Sequence, residues 1–253
     1  MPESWIFYAA AVPAVILVGF SKGGFAGLSM ISLPLLTLVS APIRAAAIML
    51  PILIVQDVVS VWAYRRDFDR RVVAILLAGS LFGIALAAIF AARVSDYAVL
   101  LFVGAIAAGF VVYSLLRRAP STDEPAEARV VPGLFWGACI GFTSFIANAG
   151  GPPFQAYALP LRLKPQTYAG CSTMTFAVVN LVKLAAFFAL GQVSTDNLAV
   201  SASLFPVAIA ATFGGVWLVR RVQAAIFYRI VYALTFLLGL KLMFDGARGL
   251  GLI

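Results

Sequence analysis

The chain has 253 residues, of which 63% are hydrophobic and only 11% are charged. Polar residues are too few to cover a soluble globule of this size, so the composition indicates a membrane protein. The net charge of +8 comes from cations that lie between apolar segments, as in membrane loops, and does not indicate nucleic-acid binding. The lack of histidine removes the commonest metal ligand and general base, and we predict neither enzyme activity nor a metal or cofactor.

Six long apolar stretches follow one another along the chain, three in each half. They cover residues 43–64, 71–92, 96–116, 167–190, 197–218 and 225–244. Stretches of about 18 residues or more are long enough to cross a hydrocarbon layer roughly 30 Å thick. Each half also opens with a pair of shorter pieces, which are 5–20 with 28–39 and 131–145 with 154–161. The second piece of each pair is too short to span, so we expect a broken or re-entrant hairpin whose tip lies near mid-membrane.

The two halves of the chain match each other at a nearly constant offset. Ser80-Leu81-Phe82 returns 123 residues later as Ser203-Leu204-Phe205, and the same offset places Asp57 on Asn180. A duplicated hydrophobic chain whose halves share glycine-rich breaks is typical of a secondary transporter. We therefore expect the binding site at the two breaks, where the halves meet.

The number of crossings and the position of charges predict how the halves are related. Each half has an odd number of crossings, so the repeats 1–118 and 131–253, joined by the linker 119–130, are expected to be inverted. The arginine-rich loop 65–71 corresponds to loop 191–197, whose one charge is Asp196, and a parallel repeat would place both loops on one side. An inverted repeat puts eleven cations in the cytoplasm and leaves Arg44, Arg93 and Arg248 outside. The eleven are Arg65, Arg66, Arg70, Arg71, Arg117, Arg118, Arg129, Arg162, Lys164, Arg220 and Arg221.

The first glycine-rich break, called the first interruption, covers residues 19–27. Its candidate binding residues are Ser21, Lys22, Gly23 and Gly24. Glycines let a solute approach main-chain N–H groups, and a helix that begins near Leu28 would point its partly positive N-terminus at this place. With the charge of Lys22, the pattern indicates an anion site. The alternative is that the glycines serve helix packing and that Lys22 extends to a membrane surface.

The second interruption covers residues 141–155. Its candidate binding residues are Ser144, Asn148, Gly150, Gly151 and Gln155. Neutral amides can hold an oxyanion without the free-energy cost of burying another charge. Pro152 and Pro153 suit the first turn of a new helix, and a purely structural kink is the alternative.

Two further charged residues lie inside predicted spans. Asp57 lies within residues 52–61, and Lys183 follows Asn180 by one turn in an apolar run. Ionisable groups within a membrane are functional candidates, because burying them costs free energy. Asp57 and Asn180 are equivalent in the repeat, so we expect them to lie close together. Asp57 and Lys183 form a structural ion pair, or else Lys183 binds the substrate with Asn180 while Asp57 couples transport to protons.

With these residues and the motifs below, the chain resembles the TauE/SafE family of membrane transporters, the so-called sulfite exporters. The shared motifs are Gly19-Phe20-Ser21-Lys22-Gly23-Gly24 with Pro34-Leu35-Leu36, then Gly150-Gly151-Pro152-Pro153, Leu159-Pro160, Gly170 and Asn180. The resemblance covers nearly the whole chain. It implies an inner-membrane protein that moves small sulfur-containing anions such as sulfite or organosulfonates, in many members outward.

The sequence thus predicts an all-α polytopic membrane protein with two inverted repeats, each a broken hairpin followed by three transmembrane helices. The predicted function is secondary transport of a small sulfur-containing anion that binds at the repeat interface near mid-membrane. The alternatives are a passive anion channel and a non-transporting assembly subunit. The expected partners are the anionic solute, the lipid bilayer of the cell inner membrane and a possible second copy of the chain. The loops 65–71 and 220–221 and the region 117–129 are expected in the cytoplasm.

Overall fold

The computed structural model describes residues 5–25, 28–40, 42–90, 93–116, 127–189 and 195–252, and these residues contain helices and no strand. The helices in chain order are α1 (Trp5–Lys22), α2 (Ser32–Thr37), α3 (Pro42–Tyr64), α4 (Arg70–Phe90), α5 (Asp96–Leu116), α6 (Val130–Ala147), α7 (Gly151–Ala158), α8 (Pro165–Ala189), α9 (Thr195–Arg221) and α10 (Ala224–Gly249). One turn of 3-10 helix, Leu28–Ile31, lies between α1 and α2.

Among the described residues, six helices are long and apolar enough to cross a membrane, which makes the chain an all-α polytopic membrane protein. They are α1, α4, α5, α6, α10 and the portion Asn197–Arg221 of α9. The helices that carry Asp57 and Lys183 are α3, with 23 residues, and α8, with 25 residues. At about 1.5 Å per residue both are also long enough to cross, as the sequence predicts.

The order of elements in the first half, α1 to α5, returns in the second half as α6 to α10. In both halves a long helix is followed by a short one and then by three long ones. The short helices, α2 with 6 residues and α7 with 8, are too short to span, as predicted for the second arm of each hairpin. The first arms, α1 and α6, are longer than predicted, with 18 residues each, because helical hydrogen bonding continues up to the glycines.

The helices form two compact units, and each unit takes helices from both halves of the chain. Unit 1 consists of Met1–Phe68 with Pro165–Gln223, and unit 2 consists of Asp69–Lys164 with Ala224–Ile253. These units cut across the predicted repeats 1–118 and 131–253, because helices of one half pack against helices of the other. Arg117, Arg118, residues 119–126 of the predicted linker and residues 190–194 lie outside the described residues.

In unit 1, glycines bring α1 and α9 into backbone contact. A Cβ atom at Gly19 would lie 2.5 Å from the Cβ of Ala211, and one at Gly23 would lie 2.5 Å from the Cα of Gly215. Small residues allow such contact between membrane helices, whose association is driven by packing because lipid tails are as apolar as the side chains. The end of α1 that carries Lys22 is thereby fixed against α9.

Also in unit 1, α3 and α8 pack together, and two contacts show that they run antiparallel. The side chains of Asp57 and Asn180 are 2.8 Å apart. Asp67 follows Asp57 by ten residues, and Gly170 precedes Asn180 by ten residues. A Cβ at Gly170 would lie 2.0 Å from the carbonyl oxygen of Asp67, so the two segments run in opposite directions. Asp57 and Asn180 are equivalent positions of the sequence repeat, so two equivalent helices cross at equivalent residues. The predicted proximity of these two residues is confirmed.

In unit 2, α4 packs against α6 and α5 packs against α10. A Cβ at Gly83 would lie 2.0 Å from the carbonyl oxygen of Ala138, and a Cβ at Gly104 would lie 2.6 Å from the carbonyl oxygen of Gly239. Both helix pairs therefore depend on glycine at the contact. By contrast, a Cβ at Gly109 of α5 would meet no atom within 4 Å.

We predict that Gly83→Ala destabilises the protein and that the matched control Gly109→Ala does not. The added methyl group at position 83 would overlap the backbone of α6, and overpacking of this kind costs about 1–3 kcal/mol. The measurement is thermal unfolding of both purified variants in detergent. Equal unfolding temperatures for the two variants would contradict the tight contact between α4 and α6.

Candidate functional site

The described part of the first interruption ends α1 with a compact turn. The N–H of Gly23 donates to the carbonyl oxygen of Gly19 at 2.8 Å, and the N–H of Gly24 donates to that of Ser21 at 3.1 Å. Gly24 has a φ of 133°, and a Cβ there would lie within 3 Å of side-chain atoms of Val219 and Ala169. Glycine is therefore required at position 24 both for its backbone angle and for space.

This turn changes what the first interruption offers to an anion. The N–H groups of Gly23 and Gly24, which the sequence suggested as anion donors, already close the C-terminus of α1. The helix expected near Leu28 begins as a four-residue 3-10 turn and continues as the six-residue α2. The ammonium of Lys22 is therefore the strongest hydrogen-bond donor of this turn. Its position in the last turn of α1 is favourable, because a helix C-terminus stabilises positive charge.

Asp57 lies at the centre of a group of charged and polar side chains in unit 1. Its Oδ1 is 2.5 Å from Nζ of Lys22, and its Oδ2 accepts a hydrogen bond of 2.8 Å from Nδ2 of Asn180. The side chains of Lys22 and Asp57 are 14% and 8% exposed. Lys22 therefore does not extend to a surface, as the packing alternative required. Its charge is balanced inside the helix bundle.

The fourth member of this group is Lys183, and we call Lys22, Asp57, Asn180 and Lys183 the charge cluster. Lys183 is 7% exposed and interacts electrostatically with both Lys22 and Asp57. The charges of the cluster, two ammonium groups and one carboxylate, sum to +1. The sequence left open whether Asp57 pairs with Lys183 or couples transport to protons, and only the structure shows Lys22 at the carboxylate.

Backbone and side-chain hydrogen bonds fix the cluster between α1, α3 and α8. The amide of Gln56, next to Asp57, donates to the carbonyl oxygen of Val15 in α1 at 3.1 Å. The hydroxyl of Tyr64 donates to the carbonyl oxygen of Gly23, and that of Thr173 lies 3.5 Å from the carbonyl oxygen of Lys22. The position of Lys22 is therefore set by its main chain as well as by its ion pair.

The hydroxyl groups near the interruption contact each other. Ser21 Oγ lies 3.2 Å from Ser29 Oγ, so the last turn of α1 is linked to the 3-10 turn that follows. This hydrogen bond joins the two arms of the first hairpin. In this structure Ser21 thus has a bracing contact, while its role in substrate binding stays a prediction.

The second interruption belongs to unit 2. Helix α6 ends at Asn148, whose backbone is left-handed with φ 52° and ψ 27° and whose N–H donates to the carbonyl oxygen of Thr143. Helix α7 begins at Gly151 and carries Pro152 and Pro153 in its first turn, as predicted. Ser144 and Gln155 are buried, and Asn148 is exposed.

A cavity of about 500 Å³ lies next to Asn148 in unit 2. Its wall includes Asp96, Tyr97 and Ile146, so the first turn of α5 forms one side and the last turn of α6 another. Sequence analysis did not single out Asp96. Asp96 and the end of α6 line the same cavity because of the way α5 packs in this unit.

The structure thus brings together some of the predicted site residues and places others elsewhere. Lys22, Asp57, Asn180 and Lys183 form one cluster in unit 1. Ser144, Asn148, Gly150, Gly151 and Gln155 surround the turn between α6 and α7 in unit 2. That the two interruptions meet in one site stays a prediction from the sequence. Among the described residues, no group of acidic or cysteine side chains could hold a metal ion.

The sequence model of the family described as Sulfite exporter TauE/SafE matches residues 11–242. The chain belongs to the TauE/SafE family. The match includes both interruptions and every residue of the charge cluster. It makes the chain a sulfite exporter-like membrane transport protein, and the family is one of transporters. Neither the search of curated proteins nor that of solved structures gave a match.

We predict unequal effects from removing either partner of the Lys22–Asp57 pair. Asp57→Asn leaves two ammonium groups in apolar surroundings without a carboxylate, and breaking a buried pair in this way costs about 3–5 kcal/mol. Lys22→Met leaves Asp57 with Asn180 and Lys183, so it should cost less. The measurement is the free energy of unfolding of both variants and of the double variant in detergent.

The double variant is expected to lose less stability than the sum of the two single variants, with a coupling of about 1–3 kcal/mol. Additive losses, or a larger loss for Lys22→Met than for Asp57→Asn, would contradict the geometry of the cluster.

Proposed function

We propose that this TauE/SafE protein is a secondary transporter of a small sulfur-containing oxyanion, either sulfite or an organosulfonate, and that the charge cluster is part of its binding site. The observation that carries the proposal is the position of Lys22, a nearly buried cation bonded to Asp57. Two cations and one carboxylate attract an anion, while the surrounding helices exclude water and strengthen that attraction.

In this structure the carboxylate of Asp57 binds the ammonium group of Lys22 in the way that a substrate oxyanion would. Its carboxylate accepts from an ammonium group on one oxygen and from the amide of Asn180 on the other. A sulfite or sulfonate group also presents several acceptor oxygens and needs the same donors. The substrate and Asp57 therefore compete for Lys22 and Asn180, and binding displaces the carboxylate.

The displaced carboxylate gives a physical basis for coupling to protons. The groups that face Asp57 from the neighbouring helices are Lys22 on α1 and Asn180 and Lys183 on α8. When a substrate anion takes over Lys22, a negative charge on Asp57 is opposed by that anion, and proton uptake removes the repulsion. Proton binding at Asp57 thus accompanies anion binding, and Asp57 is the ion-coupling residue of the proposal.

The antiparallel contact of α3 and α8 supports the prediction of inverted repeats. Asp57 and Asn180 are equivalent in sequence, and they meet where the two helices cross. A two-fold axis that relates two equivalent antiparallel helices is perpendicular to both helices. For helices that cross the membrane, such an axis lies in the membrane plane, as in transporters with inverted repeats. The cluster lies at this crossing, where helices of the two halves meet.

The contacts at one end of unit 1 support the proposed orientation in the inner membrane. The guanidinium of Arg220 lies 2.9 Å from the carbonyl oxygen of Ala63, so the ends of α9 and α3 lie together. The loops 65–71 and 220–221 therefore share one side, which we assign to the cytoplasm because of its arginines.

We assign the second interruption a role in substrate binding that supports the charge cluster. A Cβ at Gly151 would meet no atom within 4 Å, so packing does not require glycine there. The open space beside Gly151 supports the approach of a solute to the backbone there. Ser144, Asn148, Gly150 and Gln155 complete this set of proposed binding residues.

We predict that Lys22→Met nearly abolishes transport while the protein remains folded. Methionine keeps an apolar stem of similar length but cannot donate to an oxyanion, and loss of a charged hydrogen bond reduces the rate by about 10- to 100-fold. The measurement is uptake of sulfite, or of the sulfonate that the parent carries best, into proteoliposomes. Lys164→Met, which removes an exposed lysine, is the matched control and should retain full uptake.

Counterflow of labelled anion against an excess of unlabelled anion should accompany uptake by the parent, because a transporter exchanges and a channel does not. Unchanged uptake by the Lys22→Met variant would remove the charge cluster from the binding site.

We predict that Asp57→Asn abolishes the acceleration of uptake by a pH gradient and leaves anion exchange at equal pH. Asparagine retains the shape of the carboxyl group but cannot bind a proton. The measurement is flux into proteoliposomes with and without an imposed gradient. The control Asp245→Asn changes a carboxylate of α10 that pairs with Lys241 outside the cluster, and its flux should still follow the gradient. A variant at Asp57 that still follows it would exclude this residue from proton coupling.

A further inference from the structure

A second group of cations in unit 1 surrounds a pocket of about 320 Å³ at the end of α3. The residues that decide its chemistry are Arg65, Arg66 and Arg220, with Asp67 and the aromatic rings of Trp62 and Phe213. Three guanidinium groups and one carboxylate give this lining a net charge of +2. The pocket is separate from the charge cluster in its residues, and the proposed transport function does not use it.

Two of the arginines are held in place at the edge of the pocket. Arg65 lies over the ring of Trp62, 4.6 Å from its centre, and donates to the carbonyl oxygen of the same residue at 2.5 Å. Arg220 donates to the carbonyl oxygen of Ala63 at 2.9 Å and lies 3.3 Å from Oδ2 of Asp67. A guanidinium has five N–H donors, so these contacts leave donors on both side chains for an anionic ligand.

The other wall of the pocket is apolar. Trp62 is 58% exposed and Phe213 is 42% exposed, and their rings pack edge to face with centres 6.0 Å apart. Phe213 belongs to Asn197–Arg221, which is apolar enough to cross a membrane. An exposed aromatic wall next to arginines at the end of a membrane helix is suited to the boundary between headgroups and acyl chains.

We propose that this pocket binds an anionic phospholipid, with the phosphate on the arginines and the upper part of an acyl chain on Trp62 and Phe213. The net positive lining selects an anionic lipid over a zwitterionic one, because basic pockets between membrane helices bind acidic headgroups. A small hydrated anion would use the guanidinium groups but would gain nothing from the aromatic wall. The occupant that fits both walls is therefore a lipid.

The test is native mass spectrometry of the full-length protein, stripped of lipid in detergent and then titrated with palmitoyl-oleoyl phosphatidylglycerol or phosphatidylcholine. We expect retention of phosphatidylglycerol at concentrations at which phosphatidylcholine is not retained. Arg65→Gln with Arg66→Gln should weaken retention by about 30-fold, because the loss of each arginine near an acidic headgroup weakens binding by about 5-fold. The control Arg70→Gln with Arg71→Gln removes the same charge from the nearby start of α4, outside the pocket, and should change retention little.

Competition separates a lipid from a soluble anion. Glycerol phosphate and sulfite, which lack acyl chains, should not displace phosphatidylglycerol. Displacement by either would overturn the proposal in favour of a soluble-anion site, and equal retention of the two lipids would overturn the charge selection. If the Arg65 and Arg66 substitutions change the oligomeric state and not lipid retention, the pocket contacts another copy of the chain and the lipid proposal fails.

Discussion

The structure depends on the balance of charge around one carboxylate in an apolar helix bundle. A charged side chain inside a membrane helix costs about 2.5–3.5 kcal/mol on insertion scales, so it persists where other groups compensate it. Asp57 provides that compensation, since one of its oxygens contacts Lys22 and the other accepts from Asn180. This one residue links α1, α3 and α8. In the proposed function, the same link determines where Lys22 receives an anion.

Glycine packing brings these groups close enough to interact. Gly19 and Gly23 let α1 lie against α9 with backbones in contact, and Gly170 does the same for α8 against the backbone of Asp67, just after α3. Membrane helices gain little from burying apolar area against each other, so close fit has to supply the attraction. The glycines that look like a ligand-binding loop in the sequence therefore act mainly as packing surfaces. Their placement of the Lys22 ammonium is what connects them to function.

The two groups of unit 1 that we propose to bind anions differ in their surroundings and in the cation they use. The charge cluster uses lysines among buried groups, where a charge is costly and a single ion can displace another. The pocket at the end of α3 uses exposed arginines, whose planar groups bond the backbone and stack on tryptophan while keeping further donors. The first arrangement suits an ion that must be released, and the second suits a molecule that stays bound.

The sequence by itself determined the membrane class, the family, the positions of the long helices and the equivalence of Asp57 and Asn180. Each of these follows from local composition or from a repeat, both of which are written along the chain. Only the tertiary structure decided that Lys22 is the cation at Asp57 and that the amides of Gly23 and Gly24 close α1. It also decided that each compact unit combines helices of both halves. The ion pair joins residues 35 apart, and each compact unit joins segments over a hundred residues apart, so both depend on which helices touch, and such contacts leave no pattern in local sequence. The closing hydrogen bonds of Gly23 and Gly24 depend on where α1 ends, and there Gly23 packs against Gly215 of α9.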